Sequence, residues 1–421
     1  MKLTVIGGGS TYSPELAHGL AQRALDLELT TLVLNDIDAE RLAQVGAFVQ
    51  RMVAAVRPEL QVKLVPDLDE ALAGADFVVT QIRVGGQQAR DRDERLGLRF
   101  GLLGQETTGI GGFAKAMRTV PKILRICAAI ERHAPAAVLI NFTNPVSIVT
   151  EAILNHSSVN AIGLCNIPVS LRVDIAAILG VKPARMKLDS VGLNHLSFVR
   201  RVLVDEKDVL PQLLSMAGGA REGRPANIPE LDYPDEFNQS LRMIPSDYLR
   251  YFFMQRETIA EQQESKLTRA EEVMAIEREL LAYYADESNR MKPAALALRG
   301  GAYYSHAAFE VIEAITGDTG AELVVDVLNR GAVTELGDDV AVEVPCTVDA
   351  RGARPLPQRP LEPEIRGLIQ HVKAYEELTV RAAVEGDRRL AILALATHPL
   401  VPTASIATQI VEELAGELSL S

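Results

Sequence analysis

The stretch "KLTVIGGGSTYSPEL", residues 2–16, constrains this chain more than any other. An apolar strand pattern runs into Gly7, Gly8 and Gly9, and a helical pattern, "SPELAHGLAQRAL", begins at Ser13. Glycines at such a turn let backbone amides approach an anion held at the helix N-terminus. Ser13 is expected as the N-cap and Pro14 as the first helical residue. The dinucleotide fingerprint G-x-G-x-x-G is matched only in part, because Ser10, Thr11 and Tyr12 follow and the third glycine is missing. Asp36 ends the next apolar run, "TTLVLND" (30–36). An acidic side chain there accepts from ribose hydroxyls and repels a 2′-phosphate, which favours NAD over NADP. Gly7, Gly9, Ser10 and Asp36 are the expected cofactor contacts. An ordinary strand-to-helix turn, with "DIDAER" as a capping turn, is the other reading of the same residues.

More apolar runs follow: "LQVKLVP" (60–66), "ADFVVTQI" (75–82), "AAVLINF" (136–142) and "VNAIGL" (159–164). Helical patterns such as "ERLAQVGAFVQRMVAAV" separate most of them. Strand and helix in alternation imply a parallel, doubly wound sheet. The expected fold is α/β, with a Rossmann-like dinucleotide-binding domain over 1–165. A mixed α/β lobe over 166–421 is expected to close the cleft and carry metal, substrate and oligomer contacts. The Gly-, Pro- and charge-rich stretches at 216–230 and 349–364 read as flexible. The amphipathic "IATQIVEELAGEL" reads as a candidate subunit contact.

The net charge of −13 argues against nucleic acid as a partner, since phosphate backbones need a basic surface. Apolar runs are short and broken, so no membrane span is expected. "MKLTVIGGG" lacks the pattern of a signal peptide. Cys127, Cys165 and Cys346 are scattered and odd in number, which fits a reducing cytoplasm.

Ligands of such sheets collect beyond the carboxyl ends of the strands. Three polar stretches fall there: "QIRVGGQQARDRDE" with Arg83, Arg90 and Arg92, "NFTNPVS" with Asn141 and Asn144, and "GLCNIP" with Cys165 and Asn166. Between them lies "GLLGQETTGIGG", a loop long enough to fold over a ligand. "DSVGLNHLSF" adds His195. Cysteine and histidine are good ligands for a divalent transition metal. A small buried cysteine and a satisfied core histidine are the other readings.

Together, "VIGGGSTYSPEL", "GLLGQETTGIGG", "LINFTNPVSIVTEA", "GLCNIPVSLR", "GLNHLSF", "DYLRYFF", "TRAEEVMAIERELL", "RGGAYYSHAA" and "THPLVP" resemble glycoside hydrolase family four, the NAD- and metal-dependent glycosidases, and most closely their 6-phospho-β-glucosidases. The resemblance implies that Cys165 and His195 hold a divalent metal, usually Mn2+. It implies that Tyr248 accepts a proton and that Arg90, Asn144 and Asn166 touch substrate. Arg269, and Ser13 with it, would serve the sugar phosphate. Where the α-specific relatives have an aspartate after the metal-binding cysteine, this chain has Asn166, as in the β-type enzymes, so the proton donor to the leaving group is unassigned. Tyr251, Tyr303 and Tyr304 are competing tyrosines, and Arg269 could instead pair with Glu272 along one helix.

The implied substrate is a phosphorylated β-glucoside, and the implied route differs from the usual two-carboxylate hydrolysis. NAD+ oxidises C3, the C2 proton becomes removable, the C1 substituent is eliminated, water adds, and the hydride returns. Relatives in that family are typically dimers or tetramers, so the resemblance implies a homodimer or homotetramer. Two other functions fit the same fold: a 2-hydroxy-acid dehydrogenase, which would accumulate NADH, and a non-catalytic NAD-binding sensor.

Overall fold

The computed structural model describes residues 1–216, 233–299, 303–416 and 418. Thirteen strands form one sheet: β1 (Lys2–Ile6), β2 (Thr31–Asn35), β3 (Gln61–Leu64), β4 (Phe77–Thr80), β5 (Val138–Asn141), β6 (Asn160–Gly163), β7 (Met186–Leu193), β8 (Leu196–Val204), β9 (Lys207–Asp208), β10 (Ile244–Pro245), β11 (Ala321–Leu328), β12 (Ala341–Asp349) and β13 (Gly352–Pro355). The first six lie in the order β3-β2-β1-β4-β5-β6 and run parallel, with Val5 opposite Leu34 on one side and Val79 on the other. β4 and β5 are buried at every position, as strands covered by helices on both faces must be. This is the doubly wound arrangement expected from the sequence.

Beyond β6 the sheet continues without a break, now antiparallel. β6 meets β11 through Gly163 and Asp326, β11 pairs with β12 over eight residues, and β12 meets β7 through Glu343 and Gly192. The hairpin β7–β8 and the short β10 complete the row. The C-terminal lobe therefore extends the N-terminal sheet. Its long helices are Arg269–Ala285 and Pro363–Glu385.

Several local expectations change. Tyr12, not Ser13, occupies the N-cap of the helix Ser13–Gln22, and Ser13 is its first residue. Residues 349–364 are ordered: Asp349 holds the guanidinium groups of Arg351 and Arg354, and the backbone amide of Leu356 donates to Pro345. The 216–230 stretch lies outside the described residues apart from Met216. "GLLGQETTGIGG" is a loop only to Thr108, because Gly109 opens the helix Gly109–His133. The helix Ala404–Leu414 turns Ala407, Ile410, Val411 and Leu414 into the chain's own core. No helix among the described residues is long and apolar enough to cross a membrane.

Candidate active site

Gly7 adopts φ +93°, and a Cβ there would stand 2.9 Å from the carbonyl oxygen of Gln81, so only glycine lets β1 turn this close to β4. The next turn is fixed by Asp36, whose Oδ2 accepts from the Gly9 amide at 2.9 Å while Oδ1 accepts from Asp38 at 3.0 Å. Asp38 caps the helix Ala39–Val56 by accepting from Arg41. Asp36 thus shapes the glycine turn and the capping turn together. Ser10 accepts from the Tyr12 amide at 3.2 Å, and Ser13 accepts from Gln81 Nε2 at 2.9 Å.

Glu277, from the helix Arg269–Ala285, ties this turn to the second lobe. It accepts from Thr11 at 3.0 Å, from Arg41 at 3.1 Å and from Arg299 at 2.9 Å, and Arg41 also donates to the Gly9 carbonyl at 2.9 Å. Burial alone would raise its pKa, but Arg299 and Arg41 outweigh burial and pull it from 4.5 down to about 2. A depressed carboxylate stabilises the fold above its unfolded pKa and loses that contribution as pH falls through the folded one; the shift corresponds to about 3 kcal/mol. We predict that the stability difference between wild type and Glu277→Gln, read by urea denaturation, is about 1.4 kcal/mol smaller at pH 3.5 than at pH 7. A difference equal at both pH values would refute this account.

Beyond the carboxyl end of β4, three cationic side chains converge on Glu106. Its carboxylate pairs with Arg83, with Arg90 at 3.3 Å and with Lys115 at 2.7 Å. Burial opposes its charge, yet the three cations hold the carboxyl well below the ordinary range. Burial, reinforced by Arg83, lowers Lys115 to about 8. Arg90 is buried and also pairs with Glu94 at 2.7 Å. It is therefore not the solvated charge that its setting in "ARDRDE" allows; Arg92, two residues on, is exposed.

Thr107 carries the loop onward to His195, with its hydroxyl 3.2 Å from Nδ1. His195 sits in the two-residue turn between β7 and β8 at φ +64°. Its ring lies flat on that of Tyr248, with centroids 3.6 Å apart and planes 4° from parallel. Tyr248 also packs in one buried cluster with Cys165, Tyr251, Leu103, Ile167 and Leu400. Cys165 and His195, the expected metal pair, and Tyr248, the expected proton acceptor, are thus brought together. Arg90 is close enough for its charge to interact with Tyr248.

The thiol of Cys165 accepts from the Ile167 amide at 3.5 Å, at the start of the helix Ile167–Leu179, and stands 4.0 Å from Asn166 Oδ1. Burial and then the Glu343 charge push its pKa up. Burial lowers His195 to about 3, which keeps the imidazole neutral. Burial, then Tyr251 and Cys165, drives Tyr248 well above 10. Asn144 lies three residues beyond β5, which pairs with β6 just before Cys165, and its buried Oδ1 has no hydrogen-bond partner.

Arg269 stands apart from this group. It opens the helix Arg269–Ala285 and pairs with Glu272 at 2.8 Å, the alternative weighed from sequence. One link reaches the site: the amide of Ala270 donates to Glu94 at 2.9 Å, and Glu94 holds Arg90.

Sequence reasoning missed Glu106, Thr107, Lys115, Asn194 and Glu343 as site residues. A signal existed for one of them: Glu343 interrupts the apolar run "VAVEVPC", and a lone charge inside a buried strand needs a partner.

Comparison with known proteins agrees in one direction. Residues 2–181 match the family described as "Family 4 glycosyl hydrolase", and residues 190–401 match its C-terminal domain. A Bacillus subtilis (strain 168) protein named "Probable 6-phospho-beta-glucosidase" is 40% identical over 98% of this chain and 95% of that relative. The 6-phospho-beta glucosidase of Thermotoga maritima, solved with NAD and glucose-6-phosphate, superposes with a TM-score of 0.93 at 34% identity and covers 100% of both chains. A second structure of that enzyme, with manganese, NAD+ and glucose-6-phosphate, gives a TM-score of 0.89 at 34% identity over 99% of this chain and 98% of that one.

Proposed function

Because the chain belongs to glycosyl hydrolase family 4, we propose that it hydrolyses 6-phospho-β-glucosides by redox-assisted elimination, with NAD+ and a divalent cation, Mn2+, as cofactors. The observation that carries the reading is the meeting of a thiol, an imidazole and a phenol, from Cys165, His195 and Tyr248, in one buried cluster: Tyr248 packs with Cys165 and stacks on His195.

The residues fit both cofactors. A thiolate and a neutral imidazole suit a divalent transition metal. Among the described residues no group of three or more His, Cys, Asp or Glu side chains could hold a metal, so a two-donor site leaves positions for substrate oxygens. The unpartnered Oδ1 of Asn144 offers a further oxygen at the neighbouring strand end. The Gly7 turn and Asp36 suit a dinucleotide. When bound, NAD+ supplies a reversible hydride acceptor and the cation a Lewis acid.

The chain's own residues do the rest. Cys165 and His195 would hold the cation, with the Thr107 hydroxyl 3.2 Å from Nδ1 orienting the imidazole. Tyr248 takes the proton from the sugar C2. Burial alone keeps its phenol protonated, so it works as a base only beside added positive charge. Arg90, Asn144 and Asn166 orient the sugar. Arg269 and Ser13 serve the phosphate, which requires Arg269 to exchange Glu272 for the bidentate ligand a guanidinium prefers. Residues 1–165 carry the dinucleotide and 166–421 the imidazole, base and phosphate groups, a division supported by the change from parallel to antiparallel pairing after β6. Three free cysteines, all buried, support a cytoplasmic setting.

The test is turnover of p-nitrophenyl 6-phospho-β-glucoside with NAD+, Mn2+ and reductant in D2O. Nitrophenol should appear without stoichiometric NADH, and the sugar product should carry deuterium at C2. Active enzyme that returns sugar unlabelled at C2 rules out elimination. NADH formed in step with hydroxy-acid oxidation would make the protein a dehydrogenase.

A further inference from the structure

We propose that Glu343 is a positioning residue for the cation site, fixing where the His195 imidazole and the Cys165 sulfur stand relative to each other. This inference rests on the reading that those two side chains hold the cation.

Glu343 lies inside β12, 1% exposed and opposite Gly192 of β7. Its two carboxylate oxygens reach the two sides of the His195 turn: Oε2 accepts from Asn194 Nδ2 at 3.0 Å, and Oε1 accepts from the Ser197 hydroxyl at 2.8 Å. His195, between them, holds a left-handed backbone that costs a non-glycine residue free energy and persists only where its surroundings enforce it. The two bonds to Glu343 supply that enforcement from below, while Thr107 and Tyr248 fix the imidazole from above. Asn194 is also near enough to Cys165 for the two side chains to interact. One carboxylate, through one amide, therefore reaches from the turn that presents the imidazole toward the strand end that presents the sulfur. Partners that orient metal ligands in this way tune affinity as strongly as some ligands do.

The test is Mn2+ titration by electron paramagnetic resonance, with NAD+ affinity as the internal control. Glu343→Ala should bind Mn2+ about 10–100-fold more weakly than wild type. Glu343→Gln should stay within about threefold, because its amide accepts from Asn194 and donates to Ser197 in the same geometry. NAD+ affinity should not change in either, since the glycine turn follows β1, five strands along from β12. If Glu343→Ala does not fold, Asn194→Ala cuts the same link from the turn and should weaken Mn2+ equally. Wild-type Mn2+ affinity in Glu343→Ala or Asn194→Ala overturns the inference, as does a glutamine variant as weak as the alanine one. Cys165→Ser in the same titration separates the two layers. Weak binding there beside unchanged binding in Glu343→Ala overturns the positioning role alone. Unchanged binding in both overturns the cation site and this inference with it.

Discussion

Tyr248→Phe is expected to lower kcat by about 10²–10⁴-fold, the span that a positioned proton-transfer group contributes. Only one oxygen is removed. The ring remains, and with it the stack on His195 at 3.6 Å and the packing against Cys165 and Tyr251. Thermal stability and Mn2+ affinity should therefore stay close to wild type while turnover collapses. Deuterium exchange into C2 from D2O should fall with kcat, because in the proposed reaction the same group breaks that carbon–hydrogen bond. A variant that keeps wild-type turnover would pass the base role to another phenol. Tyr304 is then the first to examine, since its ring packs on Tyr12 and Phe142 and its charge interacts with Cys165.

Cys165→Ser should reduce kcat/KM by about 10³-fold, because Lewis-acid stabilisation is worth several kcal/mol and each 1.4 kcal/mol is a factor of ten. Serine is nearly isosteric and fits among Leu103, Ile167 and Leu400, so the fold should survive. What is lost is the thiolate, which a cation can generate from a buried thiol but not from an aliphatic hydroxyl at neutral pH. Mn2+ affinity should fall in parallel, and excess Mn2+ should restore part of the activity. Near-normal turnover at low Mn2+ would leave Cys165 as a packing residue only.

The parallel half of the fold was legible because its signals are local. Each strand is a short apolar run, each crossover carries a helical period, and Gly7 marks the turn where the chain reverses. Cys165 and His195 could be named as candidates from side-chain chemistry, and Tyr248 from motif likeness alone. The antiparallel half was not legible as an extension of the same sheet. It depends on Gly163 meeting Asp326 and Glu343 meeting Gly192, pairings between segments far apart in sequence that no periodicity announces. The burial of Arg90 was hidden for a similar reason. Its neighbours Asp91 and Arg92 also allow a solvated charge, while Glu106, which pairs with it, arrives from another loop. Arg269 shows the remaining gap: its bond to Glu272 follows from helical spacing, whereas a role at the phosphate asks for a rearrangement that spacing cannot reveal.

The unbroken run of strands from β3 to β10 also limits how the enzyme can breathe. Two-lobed enzymes often admit substrate by swinging about a hinge between separately folded halves. Here such a swing would have to tear the backbone pairing where β11 lies between β6 and β12. Entry and exit are left to the pieces laid over this common deck, the Gly101–Thr108 loop and the helices around Tyr248, while the floor carrying Cys165 and the His195 turn stays still.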